Sequence, residues 1–209
     1  MATARISRTD QRRFRIQLWL CLGLIITCLA LTLLSSPLVS VGTWNEFDVD
    51  TFGWLFFVCG AAMRWWSAFY RTEVPWPELA ESGPYSMSRH PTQLGNLLFC
   101  VSLACFLSSL TCLVGFAVAA IGYFSLTIPA EERKLRDIFG EQYDRYCRSV
   151  PRFWPRLRLF KTPEDIDIDV GTLVHELRRT AVWMWLPVLG KAAAQCRAEV
   201  WWPHLFGMP

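Results

Sequence analysis

The stretch "NLLFCVSLACFLSSLTCLVGFAVAAIGYFSLTI", residues 96–128, runs for 33 residues without an Asp, Glu, Lys, Arg or His. An α-helix rising 1.5 Å per residue crosses a hydrocarbon core about 30 Å thick in about 20 residues, so this run is too long for one ordinary span. The polar "SSLT" at Ser108 to Thr111 divides it. The reading is a tight helical hairpin with spans at 94–108 and 110–128, the first arm short and the second of normal length.

Composition supports that reading. Hydrophobic residues make up 53% of the 209-residue chain and the mean hydropathy is +0.25, too apolar for an ordinary soluble domain. Eleven Trp and fourteen Phe gather near the ends of apolar runs, where amphipathic rings favour a membrane interface. The net charge of +3 points away from nucleic acid, and no internal repeat or protein-partner motif stands out. Eight Cys form no CxxC pair, and six lie in apolar segments; they read as small packing residues in a reducing or lipid setting, not as a metal site.

Outward from the hairpin, two more apolar runs precede it. Residues 16–34 follow a basic leader, 1–15, that carries Arg5, Arg8, Arg12, Arg13 and Arg15. This is a spanning-helix candidate; a cleaved signal peptide is the rival, disfavoured by the length of the run and the lack of an A-x-A site. Residues 52–70 form the second span, interrupted by Arg64 near its end, where an arginine can snorkel to headgroups. The expected fold is therefore all-α and integral to a membrane, with about four transmembrane helices plus cytoplasmic and interfacial helices.

Lys and Arg are retained on the cytoplasmic side of a membrane. The leader is basic, while residues 35–51 hold no Lys or Arg and carry Glu46, Asp48 and Asp50. Four spans return the chain to the leader's side, where residues 131–179 hold eleven Lys or Arg against ten Asp or Glu. Both the N-terminus and the loops that bracket the hairpin are thus expected in the cytoplasm. Residues 156–209 form a C-terminal extension in which "TAVWMWLPVLGKAAA", broken by Pro187 and flanked by basic residues and Trp, reads as an interfacial helix; a fifth span is the other reading.

Two stretches can carry chemistry. In "GPYSMSRHPTQLG", residues 83–95, Pro91 suits the first turn of a helix and pushes His90 out of the helical region. Arg89 and His90 then sit on the entering loop, beside unpaired N–H groups that attract anions. The plain alternative is an arginine on lipid phosphate and a histidine acting as a cap. In "IPAEERKLRDIFGEQYDRYCRSVPRFWP", residues 128–155, a helix wound from Glu131 gathers Leu135, Ile138, Phe139, Tyr143 and Tyr146 on one face. Glu131 and Glu132 flank that apolar face, a costly placement for carboxylates unless cations meet them. Gly140 marks a break or bend. Both stretches bracket the same hairpin, so Arg89, His90, Glu131 and Glu132 share one site, suited to a zwitterionic or cationic cofactor beside an anionic substrate.

These motifs resemble the isoprenylcysteine carboxyl methyltransferases and the related phospholipid methyltransferases, whose shared pattern is RHPxYxG, then EE, then FGxxYxxYxxxVP. "GAAMRWW" at the end of the second span is similar to the LRxWA element of bacterial members, and the resemblance covers about residues 60–155. It implies transfer of a methyl group from S-adenosylmethionine to a lipophilic acceptor drawn from the bilayer. It also implies Tyr85, His90, Pro91, Gly95, Glu131 and Glu132 at the cofactor, Arg89 directed to the acceptor, and Arg89, Glu131 and Glu132 as the catalytic set. The acceptor stays open among a prenylated carboxylate, a phospholipid amine and a thiol. Gln93 stands where the pattern has Tyr, which leaves a cofactor-binding but inactive relative as an alternative; a membrane reductase of the sterol reductase type is another.

Overall fold

A computed structural model describes residues 8–35, 44–70, 79–162 and 170–203. Regular structure among these residues is helical. The helices are α1 (Arg8–Leu33), α2 (Trp44–Phe69), a single turn α3 (Pro84–Met87), α4 (Pro91–Phe106), α5 (Leu110–Phe139), α6 (Glu141–Ser149), α7 (Val170–Trp183) and α8 (Trp185–Ala198), with a 3-10 turn at Leu157–Leu159.

The hairpin of the uncharged run forms as the sequence indicates. Ser108 adopts φ 45°, and the Ser109 hydroxyl accepts the Cys112 N–H at 3.2 Å, capping α5. Around this turn Ala104, Leu107, Cys112 and Phe116 form one core cluster with Ile25, Leu29 and Ala193 from α1 and α8. A second cluster joins Phe57 and Ala61 of α2 to Phe99 of α4 and Trp183 of α7. α2 and α4 approach closely because both present glycine at the crossing: a Cβ on Gly60 would lie 3.0 Å from the Gly95 carbonyl, and one on Gly95 would lie 2.7 Å from Arg64 Cγ.

Three elements run further than the hydropathy indicates. α1 begins at Arg8, so helix extends into the basic leader, and α2 begins at Trp44 with Glu46 in its first turn, where a carboxylate complements the helix dipole. α5 continues through Pro129 to Phe139. Glu131 and Glu132 therefore ride on the same rigid helix as the second arm of the hairpin. The expected break falls at Gly140, whose φ of 53° ends α5 and starts α6.

α7 and α8 lie antiparallel to α2. Glu176 of α7 meets Arg64 near the end of α2, whereas Lys191 of α8 meets Glu46 and Asp50 at its beginning, each at 2.6 Å. Further on, the fully buried Arg197 donates to the Ser35 carbonyl at 3.0 Å and the Leu107 carbonyl at 2.5 Å, filling orphan acceptors where α1 and α4 end. The extension thus follows the bundle from one end to the other, and Pro187 causes no break because it falls in the first turn of α8, where no intrahelical N–H is needed.

Large apolar side chains such as Trp19, Ile26, Phe52, Val58, Val118 and Ile121 are exposed on the outer faces. α5 is the one helix among the described residues long and apolar enough to cross a membrane. Most of its apolar stretch is left uncovered by the rest of the protein, unlike the core helix of a soluble domain.

Candidate functional site

The loop before α4 is shaped by its own residues. Gly83 takes φ 58°, and any Cβ there would sit 2.5 Å from the Tyr70 ring, so this position accepts only glycine. Pro84 opens α3 and Pro91 opens α4, leaving His90 as the residue before the helix at φ −126°, ψ 57°. The segment that follows α6 seals the loop from outside. Arg89 N–H donates to the Pro151 carbonyl at 3.0 Å, Arg156 N–H to the Met87 carbonyl at 3.1 Å, and Gly83 N–H to the Lys161 carbonyl at 2.9 Å.

The structure brings Arg89, His90, Glu131 and Glu132 together. His90 is 5% exposed and lies between the two glutamates, with Nδ1 3.5 Å from Glu131 and Nε2 3.5 Å from Glu132. Glu132 Oε1 accepts from Arg89 Nη1 at 3.2 Å and from Arg152 Nε at 3.0 Å, and Arg152 Nη2 grips Oε2. Burial, the largest single influence on Glu132, pushes its carboxyl up, but Arg152, His90 and Arg89 together outweigh it and hold the group below the ordinary carboxylate range. Glu131 differs sharply: its side chain is 48% exposed against 8% for Glu132. The two acids of the motif are therefore an open carboxylate and a neutralised one.

Arg89 is more deeply built in than a residue directed only to a substrate. Its Nε donates to the Val150 carbonyl at 2.8 Å and its Nη2 to the Cys147 carbonyl at 2.5 Å, capping the last turn of α6. Of the five N–H groups of a guanidinium, three are engaged. Tyr85 contributes its carbonyl to the Tyr146 hydroxyl at 2.8 Å, Pro91 is buried at the start of α4, and Gly95 faces α2. Burial pushes the Tyr143 and Tyr146 phenols up, so both stay neutral beneath the cluster.

One turn along α4 from His90 is an apolar cavity of about 260 Å³ between α1, α4 and α5, with Ile25, Leu97, Phe116 and Phe124 in its wall and Gln93, Asn96 and Tyr123 as its polar side chains. A series of rings ties it to the charged cluster: Phe124 lies 5.5 Å from Phe153, and Phe153 lies 6.3 Å from His90. Among the described residues, no group of three or more His, Cys, Asp or Glu is placed to hold a metal ion.

Sequence reasoning missed Arg152, Asn96 and Glu176. The signal for Arg152 was present, since an inward Glu132 demands a cation. Arg64, read as snorkelling, is instead 2% exposed and donates from Nη2 to both Glu176 oxygens, at 2.9 and 2.6 Å.

Fold and site together define a class: a helical bundle that brings a charged cluster and an apolar cavity to one end of a helical hairpin. The chain belongs to the phospholipid methyltransferase family, whose model matches residues 18–142. It is similar along most of its length to the nickel-cobalt-cadmium resistance protein NccN of Alcaligenes xylosoxydans xylosoxydans, with 27% identity over 94% of this chain and 91% of that protein. The cobalt-zinc-cadmium resistance protein CzcN of Cupriavidus metallidurans is 29% identical over 85% of this chain and 80% of its own. The protein-S-isoprenylcysteine O-methyltransferase of Xenopus laevis is 36% identical over a shorter region, 38% of this chain and 28% of that enzyme. No solved structure matches the chain. The protein is a methyltransferase of a membrane-associated family, acting on a lipid-related acceptor.

Proposed function

We propose that this methyltransferase uses S-adenosylmethionine and methylates a lipophilic acceptor whose apolar part occupies the cavity between α1, α4 and α5, at the cytoplasmic face of a membrane. The observation that carries this reading is the adjacency of the Arg89–His90–Glu131–Glu132 cluster to an apolar cavity, one turn apart on α4. A charged soluble molecule and an apolar one meet only where such compartments touch.

The residues suit the cofactor. S-adenosylmethionine carries a sulfonium, an ammonium and a carboxylate, and it supplies an electrophilic methyl group. Glu131, open to solvent and touched by His90, is the carboxylate available for a cation, whereas Glu132 is already neutralised. His90 stands beside Glu131, and Tyr85, Pro91 and Gly95, on the loop and the first turns of α4, are the further residues that the family resemblance assigns to the cofactor. Glu132 organises the mouth by fixing Arg89, His90 and Arg152, and the two N–H groups that Arg89 keeps in reserve orient an acceptor without wrapping it in a tight ion pair. Such preorganised charge and close placement account for most of the acceleration that methyl transfer needs. Phe124 and Phe153 pack ring against ring between cluster and cavity.

The positive balance of the basic leader and of residues 131–179 supports a cytoplasmic site. The course of α7 and α8 along the bundle, with exposed Val182, Trp185, Val188 and Leu189, supports a fifth crossing by the C-terminal extension. The test is equilibrium binding of S-adenosylmethionine and its demethylated product to the purified full chain. Saturable binding that Glu131→Gln weakens tenfold or more is expected; absence of saturable binding by the wild-type chain overturns the proposal.

A further inference from the structure

A chain of buried and half-buried polar groups runs from α7 to the edge of the cavity. It starts at Glu176, 7% exposed, which pairs with Arg64 of α2; Arg64 lies 5.0 Å from the Trp183 ring centroid and passes α4 where Gly95 has no side chain to obstruct it. Arg64 Nη1 then donates to Asn96 Oδ1, and Asn96 Nδ2 donates to Gln93 Oε1 at 3.0 Å. Asn96 and Gln93 both border the cavity.

The direction of every bond in this chain is dictated by its first member. A carboxylate accepts and a guanidinium only donates, so Asn96 must turn its oxygen toward Arg64 and its NH2 toward Gln93. Gln93 must then offer its oxygen to Asn96, which leaves its NH2, a pair of donors, at the cavity edge. Had Arg64 been absent, both amides would be free to flip and the cavity edge would present donor or acceptor equally well.

We propose that Glu176 is a positioning residue for the acceptor site: acting through Arg64 and Asn96, it fixes Gln93 so that the cavity presents an N–H donor, and the lipophilic acceptor therefore carries a hydrogen-bond-accepting oxygen at that point. This rests on the cavity being the acceptor site. It gives the C-terminal extension, which lies outside the matched residues 18–142, a part in the chemistry. It also gives Gln93 a function of its own: a tyrosine there has one hydroxyl and no second hydrogen-bonding atom with which to be oriented by Asn96 while still facing the cavity.

The experiment measures binding of two probes of similar length, 3-(farnesylthio)propanoic acid and 3-(farnesylthio)propylamine, to the full chain in nanodiscs without cofactor, alongside thermal unfolding. The wild-type chain is expected to bind the acid at least tenfold more tightly than the amine. Gln93→Glu, which replaces a donor by an acceptor and leaves Arg64 paired, is expected to reverse that preference. The double variant Arg64→Met/Glu176→Leu removes the pair without leaving a buried charge, so it is expected to keep its unfolding temperature within a few degrees while the acid's affinity falls at least fivefold. A merely structural pair would leave affinity unchanged in a stably folded double variant, and that result overturns the proposal. So does a wild-type chain that binds neither probe or prefers the amine. S-adenosylmethionine binding, measured on the same samples, reports separately on the proposed function: its loss in the wild-type chain sinks that reading, while a retained acid preference still supports the relay.

Discussion

At the residue scale, Glu131 and Glu132 divide the labour that a simple "EE" suggests they share. Glu132 is locked by Arg152, Arg89 and His90, so its loss is a stability event; Glu131 is half open, so its loss is a binding event. The folded-state pKa of Glu132 is held below the unfolded value of about 4.3, so its contribution is present at neutral pH and disappears as pH falls through the folded value. Glu132→Gln is therefore expected to flatten the acid limb of a plot of unfolding temperature against pH; an acid limb identical to that of the wild-type chain would contradict the role. Glu131→Gln is expected to change stability by no more than about 0.5 kcal/mol, since half-exposed positions away from packed features tolerate substitution. Arg89→Ala, which strips two carbonyls of α6 and one contact of Glu132, is expected to cost about 2 kcal/mol in denaturant titrations. Catalytic loss in that variant is to be separated from unfolding before a substrate role is assigned.

At the element scale, the close crossing of α2 and α4 is the feature that permits Arg64 to reach Asn96 and Glu176. Gly95→Ala would drive a methyl to 2.7 Å from Arg64 Cγ, and the overpacking is expected to cost about 1–3 kcal/mol. Gly140 is a different case, because nothing lies within 4 Å of a Cβ there but φ is 53°. Gly140→Ala is expected to cost about 1–3 kcal/mol from backbone strain alone, since φ 53° with ψ −126° is a region that only glycine adopts freely. Thermal unfolding of the two variants checks both, and a neutral Gly95→Ala would mean that the helices yield more readily than their packing suggests.

At the scale of the whole molecule, much of the fold was legible because solvation leaves a one-dimensional trace: an uncharged run of 33 residues has few places to go, and "SSLT" has to turn. The convergence of Arg89, His90, Glu131 and Glu132 was legible for the same reason, since both motifs bracket one hairpin. The pairing of Arg64 with Glu176, 112 positions apart, leaves no periodic signal, and the apolar setting of Arg64 allowed snorkelling as an adequate explanation. The continuation of α5 through Pro129 was hidden because a proline inside a helical pattern ordinarily ends it. The course of α7 and α8 depends on tertiary partners, Glu46 and Asp50 for Lys191 and two helix-end carbonyls for Arg197, that no local pattern names. If those helices make a fifth crossing, cysteines introduced singly at Ile138 and Val200 of a cysteine-free chain report opposite sides: an impermeant maleimide added outside intact cells is expected to label only the Val200 position. Labelling at both positions or at neither contradicts that arrangement.

The most direct measurement is methyl transfer itself. The full chain in nanodiscs is incubated with S-adenosylmethionine carrying a tritiated methyl group and a lipid extract of membranes that contain the protein. Label is expected to pass into the organic phase in proportion to the amount of protein and to fall at least tenfold with Glu131→Gln. Label that stays wholly in the aqueous phase, with a folded protein and a complete extract, would contradict transfer to a lipophilic acceptor.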